Sequence, residues 1–357
     1  MKAGILTFHL ADNYGAVLQA YALQQVLLKF GVASEILTTD FSNGSYEERN
    51  CFSGAAAVLK KRVLSENEKR HRLFEGFREG YLRCSPKYED RELEKANPLY
   101  DFFIAGSDQV WNLRIPGTSG RYFLPFADPE KRVSYAASFG SEEIPEKSRA
   151  WCRDQLKSFA YLSVREKSAR DLIQRLTGRR ADVVLDPVLL LTRGEWDGLY
   201  ERKDPPPYYL LYMITYDGEL AMRAKQAACK DGVSLRTVCG TFMPQFGFEA
   251  WSGVSVKEWL GLIAGASRVF TNSFHGLAFS LLYELPVEIT GLKGALSGRN
   301  GRMEELLAVF GVRFASDYAV CSLPEGAFEE KMAPYKEASL RYLMEVREYA
   351  ENLQHGC

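Results

Sequence analysis

The stretch Val269-Phe270-Thr271-Asn272-Ser273-Phe274-His275-Gly276 runs directly into the apolar residues 277–283. An apolar lead, a short polar turn and an apolar run long enough for a buried helix read as strand, turn and helix. Thr271, Asn272 and Ser273 are residue types that cap a helix start by accepting from its free N–H groups. His275 then falls at or inside the first helical turn. Such a helix end attracts anions, because unpaired N–H groups and the helix dipole both present positive charge. A histidine beside hydroxyls at that end suits a phosphorylated ligand. The plainer alternative is a capped helix whose histidine is merely satisfied.

Outward from this stretch the same alternation repeats. Strands are expected at residues 208–214, 234–239, 268–271 and 286–289, with helices at 219–230 and 256–264 and the one carrying His275. A glycine-rich loop over 291–301 brings Arg299 and Arg302 to a helix ending at Phe310, and a last amphipathic helix occupies 336–353. Upstream, Asp204-Pro205-Pro206-Pro207 makes a stiff, extended connector. Before it, strand 3–8, helix 13–30 and strand 32–37 form a β-α-β unit, which implies parallel strands and a right-handed crossover. Further strands are expected at 101–106, 133–137, 161–166 and 183–187. The charged span 65–94 keeps Leu73, Phe74, Phe77, Tyr81 and Leu82 at helical spacing, and reads as an exposed amphipathic helix with His71 on its solvated face. The fold class is therefore α/β: two doubly wound, Rossmann-like domains facing each other across a cleft, over residues 1–203 and 204–335, followed by a C-terminal helix within 336–357.

Composition narrows the function classes. A chain of 357 residues exceeds one ordinary core. A formal net charge of −1 gives no reason to expect a nucleic-acid partner. Seven cysteines (Cys51, Cys84, Cys152, Cys229, Cys239, Cys321 and Cys357) form no C-x-x-C pair, which reads as reduced thiols in a cytoplasmic setting. No run approaches the roughly 20 apolar residues of a membrane span, and residues 1–8 lack the apolar core of a signal peptide. His9, His71, His275 and His355 show no zinc spacing, so no metal is expected.

Polar residues collect where the strands end, and open α/β sheets bind ligands at that edge. Asp12 or Asn13 can cap the first helix, and Gly15 admits backbone or ligand to its first turn. The strand ending at Gly106 delivers Ser107, Asp108, Gln109 and Trp111. Asp108 is suited to positioning a hydroxyl and Trp111 to lying against a sugar face; a capped turn with a packed Trp is the alternative. Arg165 stands at another strand-to-helix junction, where its planar fork matches a carboxylate or phosphate unless an ion pair with Glu166 or another acid occupies it.

With these segments in place, the chain resembles the polysaccharide pyruvyl transferase family over nearly its whole length. The motifs are Asn13-Tyr14-Gly15-Ala16 with the helix through Gln24, Gly106-Ser107-Asp108-Gln109-Val110-Trp111-Asn112, and Ser134-Tyr135-Ala136-Ala137-Ser138-Phe139-Gly140. Val164-Arg165-Glu166-Lys167, Leu185-Asp186-Pro187 and Thr271-Asn272-Ser273-Phe274-His275-Gly276 complete the set. The resemblance implies a two-domain architecture similar to GT-B glycosyltransferases, often with the C-terminal helix returning to the first domain. It implies transfer of an enolpyruvyl-derived group from phosphoenolpyruvate onto a sugar of a cell-surface glycan or its lipid-linked precursor, with no metal or organic cofactor. A lipid-linked acceptor would bring the protein to the inner face of the membrane as a peripheral visitor.

Residue by residue, Arg165 matches the family's donor-binding arginine and His275 its catalytic histidine. The chain departs from the family pattern at Ser273, where better-studied members carry a second donor-binding arginine; Arg299 or Arg302 is the candidate replacement. Asn272, Ser273, Phe274 and Gly276 join them on the donor side. Asn13, Tyr14, Gly15, Asp108, Gln109 and Trp111 are the acceptor-side candidates. In this scheme His275 acts as general acid and then base, and Arg165 stabilises phosphate charge. Two other readings stay open on the same architecture: a GT-B-type glycosyltransferase using a nucleotide-activated sugar, and a non-catalytic glycan- or phosphate-binding relative.

Overall fold

A computed structural model describes residues 1–39, 55–115, 120–201, 206–239, 250–251, 253–293 and 300–355. Strands β1 (Lys2–Leu6), β2 (Ala33–Thr39), β3 (Cys84–Tyr88), β4 (Phe102–Ala105) and β5 (Arg132–Ser134) form one sheet in the order β3-β2-β1-β4-β5, all parallel. Strand β4 is buried along its whole length, as a strand must be when helices cover both faces of its sheet. Helix α1 (Tyr14–Lys29) buries a broad apolar face that includes Val17, Leu18, Leu23 and Val26. Helix α2 (Ala55–Tyr81) follows β2.

The charged span 65–94 differs from the expectation of a single helix. The helix stops at Tyr81, and residues 84–88 become the edge strand β3 beside β2. Gln24 on α1 pins the turn between them: its side-chain amide donates to the Arg83 carbonyl at 2.9 Å and accepts from the Arg83 N–H at 3.1 Å. Next come α3 (Glu146–Lys157), β6 (Ser163–Val164), α4 (Lys167–Thr177) and β7 (Asp182–Val183), with β6 and β7 paired in parallel. Single bridges from Val133 to Tyr161 and from Ala137 to Val164 attach this pair to the first sheet. The short helix α5 (Arg193–Asp197) starts on a Thr192–Glu195 capping box.

The second sheet joins β8 (Tyr208–Met213), β9 (Ser234–Cys239), β10 (Ala250–Trp251), β11 (Arg268–Thr271), β12 (Val287–Thr290) and β13 (Tyr318–Cys321) in the order β10-β9-β8-β11-β12-β13. Only the β12–β13 pairing is antiparallel. Helices α6 (Gly218–Asp231), α7 (Val256–Ala264), α8 (Phe274–Leu282) and α9 (Gly301–Val309) are interleaved with these strands, and every residue of α8 is buried. Both sheets therefore reverse strand order at a switch point, β1/β4 in the first and β8/β11 in the second. Loops leaving such a point form the crevice in which α/β sheets hold ligands.

The two sheets share one apolar core. Tyr14, at the start of α1, stacks on Trp259 of α7 with ring centroids 4.9 Å apart and donates its hydroxyl to the Val254 carbonyl at 2.8 Å. Helix α10 (Ala327–His355) begins earlier than its apolar spacing suggested and carries Pro334 inside it. It returns to the first sheet, where the Tyr342 hydroxyl donates to the Ser134 carbonyl at 2.7 Å and Ser339 Oγ accepts from the Leu185 N–H at 2.9 Å. The edge strand β13 escaped the sequence reading because four residues alternating about one exposed Val320 carry little pattern. Cys84, Cys152, Cys229, Cys239 and Cys321 are free, and among the described residues no group of side chains could hold a metal ion. Arg299, Asp204, Pro205, Cys51 and Cys357 lie outside the described residues.

Candidate active site

Asp186 is the hub. It follows β7, and Pro187 after it starts a short 3-10 turn that Asp186 caps, its Oδ1 accepting from the Val188 N–H at 3.2 Å. The other oxygen, Oδ2, accepts from Arg165 Nη1 at 2.6 Å and from Ser107 Oγ at 3.0 Å, and lies 3.6 Å from His275 Nε2. Three segments of the first half and the N-terminus of α8 thus meet on one buried carboxylate. Burial acts to raise its pKa, but His275 and Arg165 outweigh burial and hold Asp186 well below the usual carboxylate range.

Arg165 sits at the end of β6, fully enclosed. Burial works against its charge, yet Asp186, Asp108 and Glu166 together raise its pKa. Asp108 Oδ1 lies 3.6 Å from Nη2 and Glu166 Oε2 lies 3.8 Å from Nε. Neither contact is a hydrogen bond, so Nε and Nη2 have no acceptor among the described residues. Burial raises the pKa of Glu166 against the pull of Arg165, and Ser138 Oγ donates to its Oε1.

The second half contributes a cation as well. Arg302, on the first turn of α9, places Nη1 3.9 Å from Asp108 Oδ1. The guanidinium carbons of Arg165 and Arg302 lie 5.0 Å and 5.2 Å from the centre of the Phe274 ring, within the range of cation–π attraction. Two arginines from different halves of the chain therefore converge on the residue before His275. Three residues along α9, Glu305 accepts from the Lys167 N–H at 2.9 Å and so closes the N-terminus of α4.

His275 is held across the join between the halves. A Cβ placed on Gly15 would lie 1.9 Å from His275 Nδ1, so only glycine lets α1 come this close to the ring. Ser273 is the N-cap of α8, accepting from the Gly276 N–H at 3.3 Å. Asn272 is structural: Oδ1 accepts from the Ile214 N–H at 2.9 Å and Nδ2 donates to the Thr215 carbonyl at 2.8 Å, tying the two switch-point loops together. Gly276 packs against Thr271, whose Oγ1 would be 2.5 Å from an added Cβ.

The acceptor-side candidates do not all meet. Asp108, at φ 75°, and Gly15 reach the cluster. Asn13 is exposed and caps α1 through the Ala16 N–H at 3.2 Å. Tyr14 is buried in the shared core, and Gln109 is buried with its Oε1 accepting from Asn112 Nδ2 at 2.9 Å. Trp111 is 1% exposed, stacks on Phe123 and donates to the Tyr122 carbonyl at 3.1 Å, so no sugar can lie on it. Asp186 and Ser107 drew no role from the sequence, although both stand in motifs quoted above; an acid before proline at a strand end was the available signal.

The architecture is GT-B-like, two Rossmann-like domains with a charged cluster where their switch points meet. The family model "Polysaccharide pyruvyl transferase" matches residues 13–287, and the chain belongs to that family. No curated protein matches the chain. Among solved structures it is similar to a UDP-GlcNAc 2-epimerase from Neisseria meningitidis bound to UDP-GlcNAc, at a TM-score of 0.51 and 10% identity, covering 98% of this chain and 93% of that one. A UDP-GlcNAc 2-epimerase from Methanocaldococcus jannaschii aligns at a TM-score of 0.46 and 12% identity, over 95% and 93% of the two chains. An Escherichia coli heptosyltransferase aligns at 0.38 and 12%, over 87% and 99%. At these identities the likeness concerns the fold alone.

Proposed function

We propose that the chain transfers the enolpyruvyl-derived group of phosphoenolpyruvate to a sugar of a cell-surface glycan or its lipid-linked precursor, closing a pyruvate ketal across two hydroxyls and releasing phosphate. The observation that carries this reading is the convergence of Arg165, Arg302 and His275 around Phe274 and Asp186. Phosphoenolpyruvate bears a phosphate and a carboxylate, and a guanidinium from each half of the chain answers that pair. Arg302 takes the place of the second arginine that Ser273 does not supply.

In this scheme a proton adds to the methylene carbon of the donor while one acceptor hydroxyl adds to the adjacent carbon. The C–O bond to phosphate then breaks, phosphate leaving with the electron pair, and the second hydroxyl adds at the same carbon. Of the two hydroxyl protons, one balances the proton added to the methylene carbon and the other leaves on phosphate, and no carbon needs an external oxidant or reductant. His275 delivers and collects protons, and Asp186 holds its ring. Arg165 and Arg302 carry the phosphate charge through departure. The acceptor's lipid anchor and a cytoplasmic place of action belong to the same proposal; among the described residues no helix is long and apolar enough to cross a membrane.

The test is calorimetric titration of phosphoenolpyruvate into wild type, Arg165→Lys and His275→Ala, followed by phosphate release with glycoside acceptors. Arg165→Lys keeps a charge against Asp186 but loses the fork, and should bind the donor poorly. His275→Ala should keep donor binding and lose turnover on the order of 100- to 10,000-fold. Heat stabilisation by nucleotide sugars, with no response to phosphoenolpyruvate, would refute the donor.

A further inference from the structure

The backbone on either side of Leu185 is held from outside its own sheet. Strand β7 pairs with β6 alone, and among the described residues no strand lies on its other side. Asp182 and Val184 donate to the Leu162 and Val164 carbonyls on the β6 side, each at 2.9 Å. Alternate residues of a strand face alternate sides, so the Leu185 N–H points to the open edge. Helix α10 covers that edge, and Ser339 Oγ accepts from the Leu185 N–H at 2.9 Å. The Ser339 proton is committed elsewhere: Oγ donates to the Tyr335 carbonyl, one turn back, at 2.7 Å. Towards Leu185 the hydroxyl therefore acts only as an acceptor.

The Leu185 carbonyl is held as well. The Tyr135 hydroxyl, just past β5, donates to it at 3.0 Å. Burial, and after it the charge of Asp186, push this phenol well above its ordinary pKa, so it keeps the proton it donates. Tyr135 and Ser339 are both fully buried.

These two bonds stand immediately before the hub. The Leu185 carbonyl belongs to the peptide group that joins it to Asp186, and Pro187 stiffens the backbone on the far side. The direction in which Asp186 leaves the chain is thus set partly by a helix 154 residues further on. Its Oδ2 then meets Arg165 at 2.6 Å and Ser107 at 3.0 Å, with His275 Nε2 at 3.6 Å. Without the Ser339 oxygen, the Leu185 N–H would be left unpaired at a covered edge, and the peptide would turn towards another acceptor, carrying Asp186 with it. We propose that, for the reaction put forward above, Ser339 is a positioning residue: through the Leu185 peptide it keeps Asp186 where that carboxylate holds Arg165 and His275, whichever donor the site takes.

The test sets Ser339→Ala beside Tyr342→Phe, which removes another hydrogen bond from α10 to the first sheet and leaves Leu185 alone. Both variants should unfold at lower urea concentration. In the protein without substrate, nitrogen NMR should show the His275 imidazole resonances moved by Ser339→Ala and unmoved by Tyr342→Phe. Tyr135→Phe, which frees the carbonyl of the same residue, should move them too. With phosphoenolpyruvate and a glycoside acceptor, kcat should fall about tenfold in Ser339→Ala, short of the roughly 100-fold that an ångström of misplacement costs, and stay within about twofold in Tyr342→Phe. His275 resonances unmoved in Ser339→Ala, or moved as far by Tyr342→Phe, would overturn the proposal and leave Ser339 a packing contact of the helix. Absence of turnover with phosphoenolpyruvate would count against the donor and leave the NMR comparison standing.

Discussion

Gly15→Ala is the substitution whose consequence the geometry constrains most tightly. The added Cβ would lie 1.9 Å from Nδ1, 2.3 Å from Cγ and 2.4 Å from Cε1 of His275. Non-bonded heavy atoms settle near 3.5 Å, so the ring must move by roughly 1.5 Å or α1 must withdraw. Neither is free. The ring has Asp186 Oδ2 3.6 Å from its Nε2 and the Phe274 ring against its edge at 5.2 Å, while α1 is anchored by Tyr14 in the shared core. Overpacking of this kind costs about 1–3 kcal/mol, partly offset by alanine's better helix propensity, worth up to about 1 kcal/mol. With His275→Ala beneath it the three closest contacts of the new methyl are gone, and the same substitution should be neutral or stabilising. Urea unfolding of wild type, both single variants and the double variant forms a closed cycle, in which a coupling energy of about 1–3 kcal/mol is expected. Turnover of Gly15→Ala should fall about 100-fold, since the displaced imidazole is off its working geometry by an ångström or more. Effects that add within about 0.5 kcal/mol would refute the claim that glycine is present to admit the ring.

Three further outcomes follow from the same contacts. Asp186→Asn removes the negative charge nearest the buried Arg165, leaving the longer contacts to Asp108 and Glu166 as its carboxylate partners, and should cost about 3 kcal/mol in urea unfolding; Asp186→Leu with Arg165→Met should recover most of that stability while abolishing donor binding. Trp111→Ala should cost about 3–5 kcal/mol, and Trp111→Phe should leave the acceptor KM unchanged, because the indole faces Phe123, Phe139 and Phe159 and not the solvent. His9 has its pKa lowered from 6.5 to about 4, so on acidification through that window the unfolded chain takes up a proton that the folded one refuses. Its contribution to stability is complete above the upper value and declines as pH falls, by up to about 3 kcal/mol; His9→Asn should flatten the slope of unfolding free energy against pH between those values.

The parts of the fold legible in the sequence are those whose signal is local. Residues 234–239, 256–264 and 268–271 read as strand, helix and strand and are found as β9, α7 and β11. Each has apolar residues at the spacing of its own element, and α7 carries a Ser255–Glu258 capping box. The misreadings are non-local. Residues 84–88 follow a long amphipathic helix and include Pro86, so nothing nearby announces a strand; β2 and the Gln24 amide impose it. Trp111 stands in a polar run at a sheet edge, where an indole suggests a sugar platform, and its burial is decided by phenylalanines from three other segments.

The site divides along the same line. His275 and Arg165 announce themselves by residue type at a strand-to-helix turn, a place where local pattern and chemistry coincide. Asp186 does not, because an acid before proline is a sufficient account of a turn, and one of its oxygens does perform that task for Val188. Its other oxygen works for Arg165, 21 residues earlier, and for Ser107, 79 residues earlier, partners that only the sheet order brings into reach. That order has the same form in both halves, with the first strand of each sheet lying beside the strand that begins the second half of its winding. Two switch points then face one another, and the segments that leave them contribute Gly15 on α1, Ser107 and Asp108 from one side and His275 on α8 from the other. The cluster is a consequence of topology first and of residue identity second, which is why substituting Gly15, a residue with no chemistry of its own, should disturb it as surely as removing a charge.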